Sequence, residues 1–282
     1  MQRKRNRAIA FLFALFLAFP MRGADKKLTA EELVACHLDS IGTPEARANL
    51  KSRLLKGQGF LRILLGGSGG LQGRVTHASE GNKSSFFFEV GHPSYQGEQM
   101  MSDGRQVWVA PAFTGKRSEM GEFVHTYSHI LREGLLGGTI STGWAMLELD
   151  SKKPKLSYRG LRKVNDRKLH RLEYRPKKPG GDLRIDLYFE PDTFRHVQTT
   201  YRLTLPAQMG LTSIESARQQ PTYYLLEEIF EDFRKIDGLT LPVRWKIRFS
   251  RTGQPSSLWE WEMVFQSATH NQPIDPDSFR PR

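Results

Sequence analysis

The chain has one cysteine, Cys36, in 282 residues. A single thiol cannot close an internal disulfide, so the fold must be held by packing of its core. Long apolar runs are also missing: the longest, Ile9 to Phe19, is too short for an ordinary membrane span. No tandem repeat, low-complexity tract or linker divides the sequence, which points to a single domain over residues 25–282. There is no phosphate-binding loop, no catalytic triad and no evident metal-ligand set, so no cofactor is expected. Nucleic acid is not an expected partner either, because no recognition motif accompanies the basic charge.

What the sequence does have begins with an address. Arg3, Lys4, Arg5 and Arg7 form a basic head, the apolar run follows, and Gly23 and Ala24 supply small residues. Residues 1–24 read as a secretory signal peptide. Arg22 occupies a position that is usually small before a cut at Ala24, so the cleavage point stays open and an uncleaved anchor is the alternative. No cysteine follows the run, which argues against a lipid-modified N-terminus. The 42 basic and 30 acidic residues give a net charge of +12. Removing the leader's five basic residues leaves 37 against 30, or +7. That surplus fits attraction to anionic lipid or cell-surface polymers.

The clearest structural signal is the stretch from Asp232 to Phe249. Leu239, Leu241, Val243, Trp245, Ile247 and Phe249 fall on every second residue, with Thr240, Pro242, Arg244, Lys246 and Arg248 between them. Successive strand side chains point to opposite faces, so this is a strand with one apolar and one basic face. Asp237-Gly238 suits a type I′ turn and predicts an antiparallel partner before it. Trp259, Trp261, Met263 and Phe265 alternate with Glu260 and Glu262 in the next strand. Placing Arg248 opposite Glu260 and Lys246 opposite Glu262 sets Ile247 opposite Trp261 and Phe249 opposite Trp259.

Elsewhere, Thr29 and Glu32 form a capping box with Leu28 and Leu33 as a staple. A helix follows whose stripe is Leu33, Val34, His37, Leu38 and Ile41, ended by Gly42. Pro44 opens a second short helix to about Ser52. A strand meander occupies Gln58 to Ala110, and a helix is expected from Ser118 to Glu133 with Met120, Phe123, Val124, Tyr127, Ile130 and Leu131 on one stripe. Strands resume after Lys155, with a surface loop from Pro206 to Pro221 and an extended tail from Asn271 to Phe279.

Three local patterns have bland readings that outweigh their chemical ones. Gly66-Gly-Ser-Gly-Gly70 matches a nucleophile elbow, but a strand pattern follows where the elbow needs a helix, so a flexible hairpin loop is expected. His125 and His129 lie four apart, yet Thr126 stands where a zinc protease carries glutamate, and ordinary half-exposed histidines are expected. Glu227, Glu228, Glu231 and Asp232 read as a solvated sheet edge rather than an acid–base pair.

The row Trp245, Ile247, Phe249, Trp259, Trp261 and Met263 is the candidate site. The same residue types serve a packed core and an acyl-chain cavity, and sequence leaves both open. The expectation taken is a lipid-binding lining, with Phe123, Tyr127 and Leu131 on the inserted helix and Leu33 and Leu38 on the first helix as a movable lid.

Leu28-Thr-Ala-Glu-Glu-Leu33 with Ile41-Gly42, the stretch Asp232 to Val243, and Asn271-Gln-Pro-Ile-Asp-Pro-Asp-Ser-Phe279 together resemble the outer-membrane lipoprotein-sorting-protein-like family. Leu187-Tyr-Phe-Glu-Pro-Asp192 fits that family's strand and turn. The resemblance implies a mainly β (α+β) fold: a strongly curved antiparallel sheet, or half-barrel, with the N-terminal helix pair and the inserted helix over its concave face. It also implies an exported, periplasmic, non-catalytic carrier of a lipid acyl chain or lipidated protein, touching a membrane surface transiently. The alternative is an envelope scaffold or sensor with a packed core that binds a protein partner.

Overall fold

The computed structural model describes residues 28–178, 181–207, 220–253 and 255–281. The leader and most of the Pro206–Pro221 loop lie outside the described residues. Twelve strands form one sheet: β1 (Ser52–Leu65), β2 (Gly69–Glu80), β3 (Lys83–His92), β4 (Tyr95–Ser102), β5 (Val107–Val109), β6 (Lys155–Val164), β7 (Arg167–Arg175), β8 (Arg184–Phe189), β9 (His196–Leu205), β10 (Thr222–Ile236), β11 (Leu239–Thr252) and β12 (Ser257–His270). Their order is β5-β4-β3-β2-β1-β12-β11-β10-β9-β8-β7-β6, with neighbours antiparallel throughout. The sheet does not close: β5 and β6 are its two edges. This is an open half-barrel with a few helices. One of them, α1 (Ala30–Ile41), and the short α2 (Pro44–Ala48) precede the sheet. The link between β5 and β6 carries α3 (Glu119–Thr126), α4 (His129–Arg132), two 3₁₀ turns and α5 (Leu149–Lys152).

The alternation in β11 becomes burial. Leu239, Leu241, Val243, Trp245, Ile247 and Phe249 all face the core. Asp237 and Gly238 both take positive φ, 48° and 81°, as a type I′ turn requires. The β11–β12 register pairs Lys246 with Glu262, Ile247 with Trp261, Arg248 with Glu260 and Phe249 with Trp259, as expected. On the wet face, Glu260 binds Arg62 at 2.9 Å and Arg248 at 2.6 Å, while Glu262 binds Arg62 at 3.0 Å and also Arg244. Lys246 turns the other way, to Glu231 at 2.9 Å. At the N-terminus, Glu32 N donates to Thr29 Oγ1 at 3.1 Å and Thr29 N to Glu32 Oε2 at 2.9 Å, completing the capping box.

Three expectations need correction. The second helix stops at Ala48 rather than Ser52, and β1 begins where the helix was expected to end. Asn271 explains this: its Oδ1 accepts from Lys51 N at 2.8 Å and its N donates to Ser52 O at 2.9 Å, drawing the chain into register beside β12. The inserted helix is two pieces, broken at Tyr127 and Ser128, so that Ile130 and Leu131 stay buried while Tyr127 remains half-exposed. The tail does not stay extended. Pro276–Phe279 form a 3₁₀ turn that buries Phe279 against β3 and β4, with Lys83 Nζ 5.7 Å from the ring centre.

Candidate ligand-binding site

The inner face of the sheet is filled from above. Trp245, Ile247, Phe249, Trp261 and Met263 are all buried in a core that also contains Leu33, Phe123, Leu131, Leu135, Ile140, Trp144 and Met146. Trp259 is the exception in the row and is half-exposed. The deep row is therefore closed beneath the segment between β5 and β6.

That segment is pinned by buried polar contacts as well as packing. Glu228, fully buried on β10, accepts from Gly137 N at 2.7 Å and Trp245 Nε1 at 3.1 Å through Oε1, and from Tyr201 Oη at 2.7 Å through Oε2. Burial raises its pKa to about 7 despite three donors that favour the charged form. A second carboxylate repeats the pattern: Glu98 accepts from Tyr95 Oη at 2.8 Å, and that oxygen accepts from Trp261 Nε1 at 2.9 Å. Burial again raises the pKa to about 7. Both buried tryptophans of the row thus place their indole N–H in a network ending on an interior carboxylate. Arg53 donates to Thr139 O and Ile140 O at 2.6 and 2.7 Å, and burial lowers its pKa to about 9. His37 Nδ1 donates to Phe194 O at 3.0 Å while its Nε2 accepts from Trp144 Nε1 at 3.0 Å; burial lowers its pKa to about 4.

Tyr95 lies at one end of the half-barrel, whereas the Arg53 and His37 contacts lie toward the other, beside the β10–β11 and β8–β9 turns. Helix α1 sits there too: a Cβ on Gly42 would lie 2.9 Å from Gly238 O. Leu33 and Leu38 therefore belong to this end and are not brought together with Phe123 and Tyr127. The other end is the mouth. It is formed by the β1–β2 turn, the starts of β8, β10 and β12, and the ends of β7, β9 and β11.

Two mostly apolar pockets open at the mouth. One, about 310 Å³, lies between Phe123 and Tyr127 on one side and Leu203, Leu205 and Tyr224 on the other. The second, about 300 Å³, is lined by Leu61, Ile63, Leu71, Tyr95, Phe113 and Trp259. The start of α3 stands between them: Glu119 binds Arg251 Nη2 at 2.9 Å and accepts from Ser257 Oγ. Arg251 Nε is buried without a partner among the described residues. Of the nominated residues, Phe123, Tyr127 and Trp259 line these pockets. The Phe249 ring lies directly behind, 5.5 Å from Phe123 and 6.2 Å from Tyr224.

The three bland readings fare unequally. Gly66–Gly70 is the β1–β2 turn running straight into β2, with no helix after Ser68. Neither histidine is half-exposed as expected: His125 is exposed on α3, while His129 is buried on α4 beyond the helix break. The acidic group does not form one solvated edge. Glu231 and Asp232 pair with Lys246 and Arg244, but Glu228 points inward. Its signal was present in the sequence: Leu226, Glu228 and Phe230 form one register of β10, and both flanking residues are core.

No protein-family model matches the sequence, and no curated protein matches it significantly. Solved structures with a similar course of chain include a LolA superfamily protein from Nitrosomonas europaea, with 15% identity and a TM-score of 0.47 over 90% of this chain and 98% of that one. The chain resembles the lipoprotein-sorting structures. A putative outer membrane lipoprotein-sorting protein domain from Vibrio parahaemolyticus has 9% identity and a TM-score of 0.44, covering 89% and 97% of the two chains. A DUF1329 family protein from Desulfovibrio piger has 11% identity and a TM-score of 0.45 over the same shares.

Proposed function

We propose that this chain is an exported, non-catalytic carrier that takes an acyl chain of a lipid or lipidated protein at the mouth of the half-barrel. The observation that carries the reading is the pair of apolar mouth pockets on either side of the start of α3. Moving α3 outward breaks the partly exposed Glu119–Arg251 contact and joins the two pockets over Phe249 and Trp259. The buried pins at Arg53, His37 and Glu228 hold the rest of the inserted segment in place meanwhile. Deeper insertion reaches Trp245, Ile247, Trp261 and Met263 only by displacing Leu131 and its neighbours. Each methylene buried contributes about 0.8 kcal/mol, and Arg251, with an unpartnered Nε, is placed to meet an anionic head group.

The packed inner face favours one other reading, an envelope scaffold or sensor that binds a protein. Comparing native and denatured masses of protein secreted into a bacterial periplasm, with extraction of released material, separates the two. An acylated species, or uptake of a fluorescent fatty acid that Trp259→Asp abolishes, supports the carrier. A clean protein that refuses the fatty acid refutes it and directs attention to protein partners.

A further inference from the structure

The positive charge of this protein is confined to one part of it. Lys155 to Leu205, the span of β6 to β9, contains 13 basic and six acidic residues, a surplus of +7. The rest of the chain beyond residue 24 balances, with 24 of each sign. Within those four strands the surplus is built into the register. Lys155 pairs with Arg175, Lys163 with Lys168 and Arg184 with Arg202, each a like-charged pair directly across the ladder. Such pairs are unfavourable. On the central strands the opposite holds: Arg62 and Arg248 each face Glu260, and Glu231 faces Arg244. The two acids on the outer face of β7 and β8 are already neutralised. Asp186 is held by Arg171 at 2.8 Å and Arg202 at 2.7 Å, and Glu173 by Arg159 and Arg175. Lys155, Lys177, Lys178 and Arg184 have no carboxylate partner among the described residues.

Lys155, Lys177, Lys178 and Arg184 lie at the mouth end, whereas the Lys163–Lys168 pair lies at the opposite end beside the β6–β7 turn, where Asp166 binds Lys163 at 2.7 Å. Arg175 closes β7, Arg184 opens β8, and Lys177 and Lys178 sit on the connection between them. The same rim carries exposed apolar side chains: Leu64 and Leu65 at 50% and 52% on the β1–β2 turn, Leu205 at 42% and Tyr223 at 48% beside the first pocket. Apolar and tyrosine side chains at strand tips, next to unpaired Lys and Arg, are what the interface of an anionic bilayer accommodates: the apolar tips enter the head-group region while the cations meet phosphates.

We infer that the rim from β6 to β9, with the β1–β2 turn, docks this protein mouth-first onto an anionic phospholipid membrane. Dispersed tips favour a bilayer over an acidic protein, which would demand a continuous complementary face. The inference does not require that the mouth pockets hold an acyl chain.

The test is flotation of the secreted protein with vesicles of phosphatidylcholine alone or mixed with phosphatidylglycerol. Binding should require phosphatidylglycerol and fall steeply with added salt, since the surface potential is screened within a Debye length. Replacing Lys177, Lys178 and Arg184 together by Glu should weaken it at least about tenfold, as each cation brought to such a surface is worth about fivefold. Leu64→Ser with Leu65→Ser should weaken it at fixed charge. Fatty-acid uptake and the circular-dichroism melt should be unchanged in both variants, which separates failure of docking from misfolding and from failure of the carrier reading. Equal binding to both vesicle types, no binding to either, or retention by the triple-Glu variant would overturn the inference. So would charge-dependent capture of an acidic protein without vesicle binding.

Discussion

Replacing Glu228 by glutamine should make the protein more stable at neutral pH and leave it almost unchanged in acid. Oε1 of Glu228 accepts from Gly137 N and Trp245 Nε1, while Oε2 faces Tyr201 Oη. A glutamine placed with its oxygen toward the first two can donate its amide hydrogens toward the tyrosine oxygen, so it copies the protonated acid. The folded pKa is raised from 4.5 to about 7 by burial. Between those values the folded protein keeps a proton that the unfolded chain has released, so its stability falls as pH rises through this window. Below the window both states are protonated and the contribution is fully present; above it the loss is complete. At 1.36 kcal/mol per unit, the loss amounts to about 3 kcal/mol. His37 and Glu98 titrate in the same range in both proteins and drop out of the difference. Urea unfolding followed by tryptophan fluorescence at matched pH values reads it directly. The difference should be near zero at the acid end and favour the Glu228→Gln variant by up to about 3 kcal/mol at the alkaline end. A difference that is flat with pH, or a glutamine variant less stable at every pH, would show that three donors outweigh burial.

Two further outcomes follow from local geometry. Thr29→Ala removes the cap of α1 and should cost about 1 kcal/mol in chemical denaturation; an unchanged midpoint would mean α1 is held by packing alone. Gly134 turns the chain after α4 with φ at 68°, and a Cβ there would lie 1.8 Å from Gly143 O. Gly134→Ala should therefore lower stability by at least about 2 kcal/mol, and a melting temperature equal to that of the parent would contradict it.

The β11–β12 register was legible because alternation and cross-strand charge specified the same pairing, and the Asp237-Gly238 turn marked the β10–β11 hairpin before it. The capping box was equally legible, being a local pattern whose two hydrogen bonds involve only residues 29 and 32. The start of β1 was not, because it depends on Asn271, 220 residues from Lys51. The break at Tyr127 was hidden for a related reason: both halves satisfy a helical stripe, and only packing separates them. The site was half legible. The apolar row was found, but whether it lines a cavity depends on how the inserted segment fills the concavity, which periodicity does not record. Glu228 was set aside because carboxylates belong in water unless partnered. Its position between Leu226 and Phe230 gave its face, and the partners Gly137 and Tyr201 lie far off in sequence.

The pairing of β1 with β12 has a consequence for how the protein comes to exist. These strands are the first and last of the ladder in sequence yet lie side by side near its middle, with Arg53 and His270 217 residues apart. Until β12 is available, the chain can assemble only two separate meanders, β1 to β5 and β6 to β11, each with an uncovered edge at what will be the centre. Contacts of such separation form late, because the loop must be closed before they contribute. A chain delivered from its N-terminus therefore cannot close its central seam until its last strand has arrived.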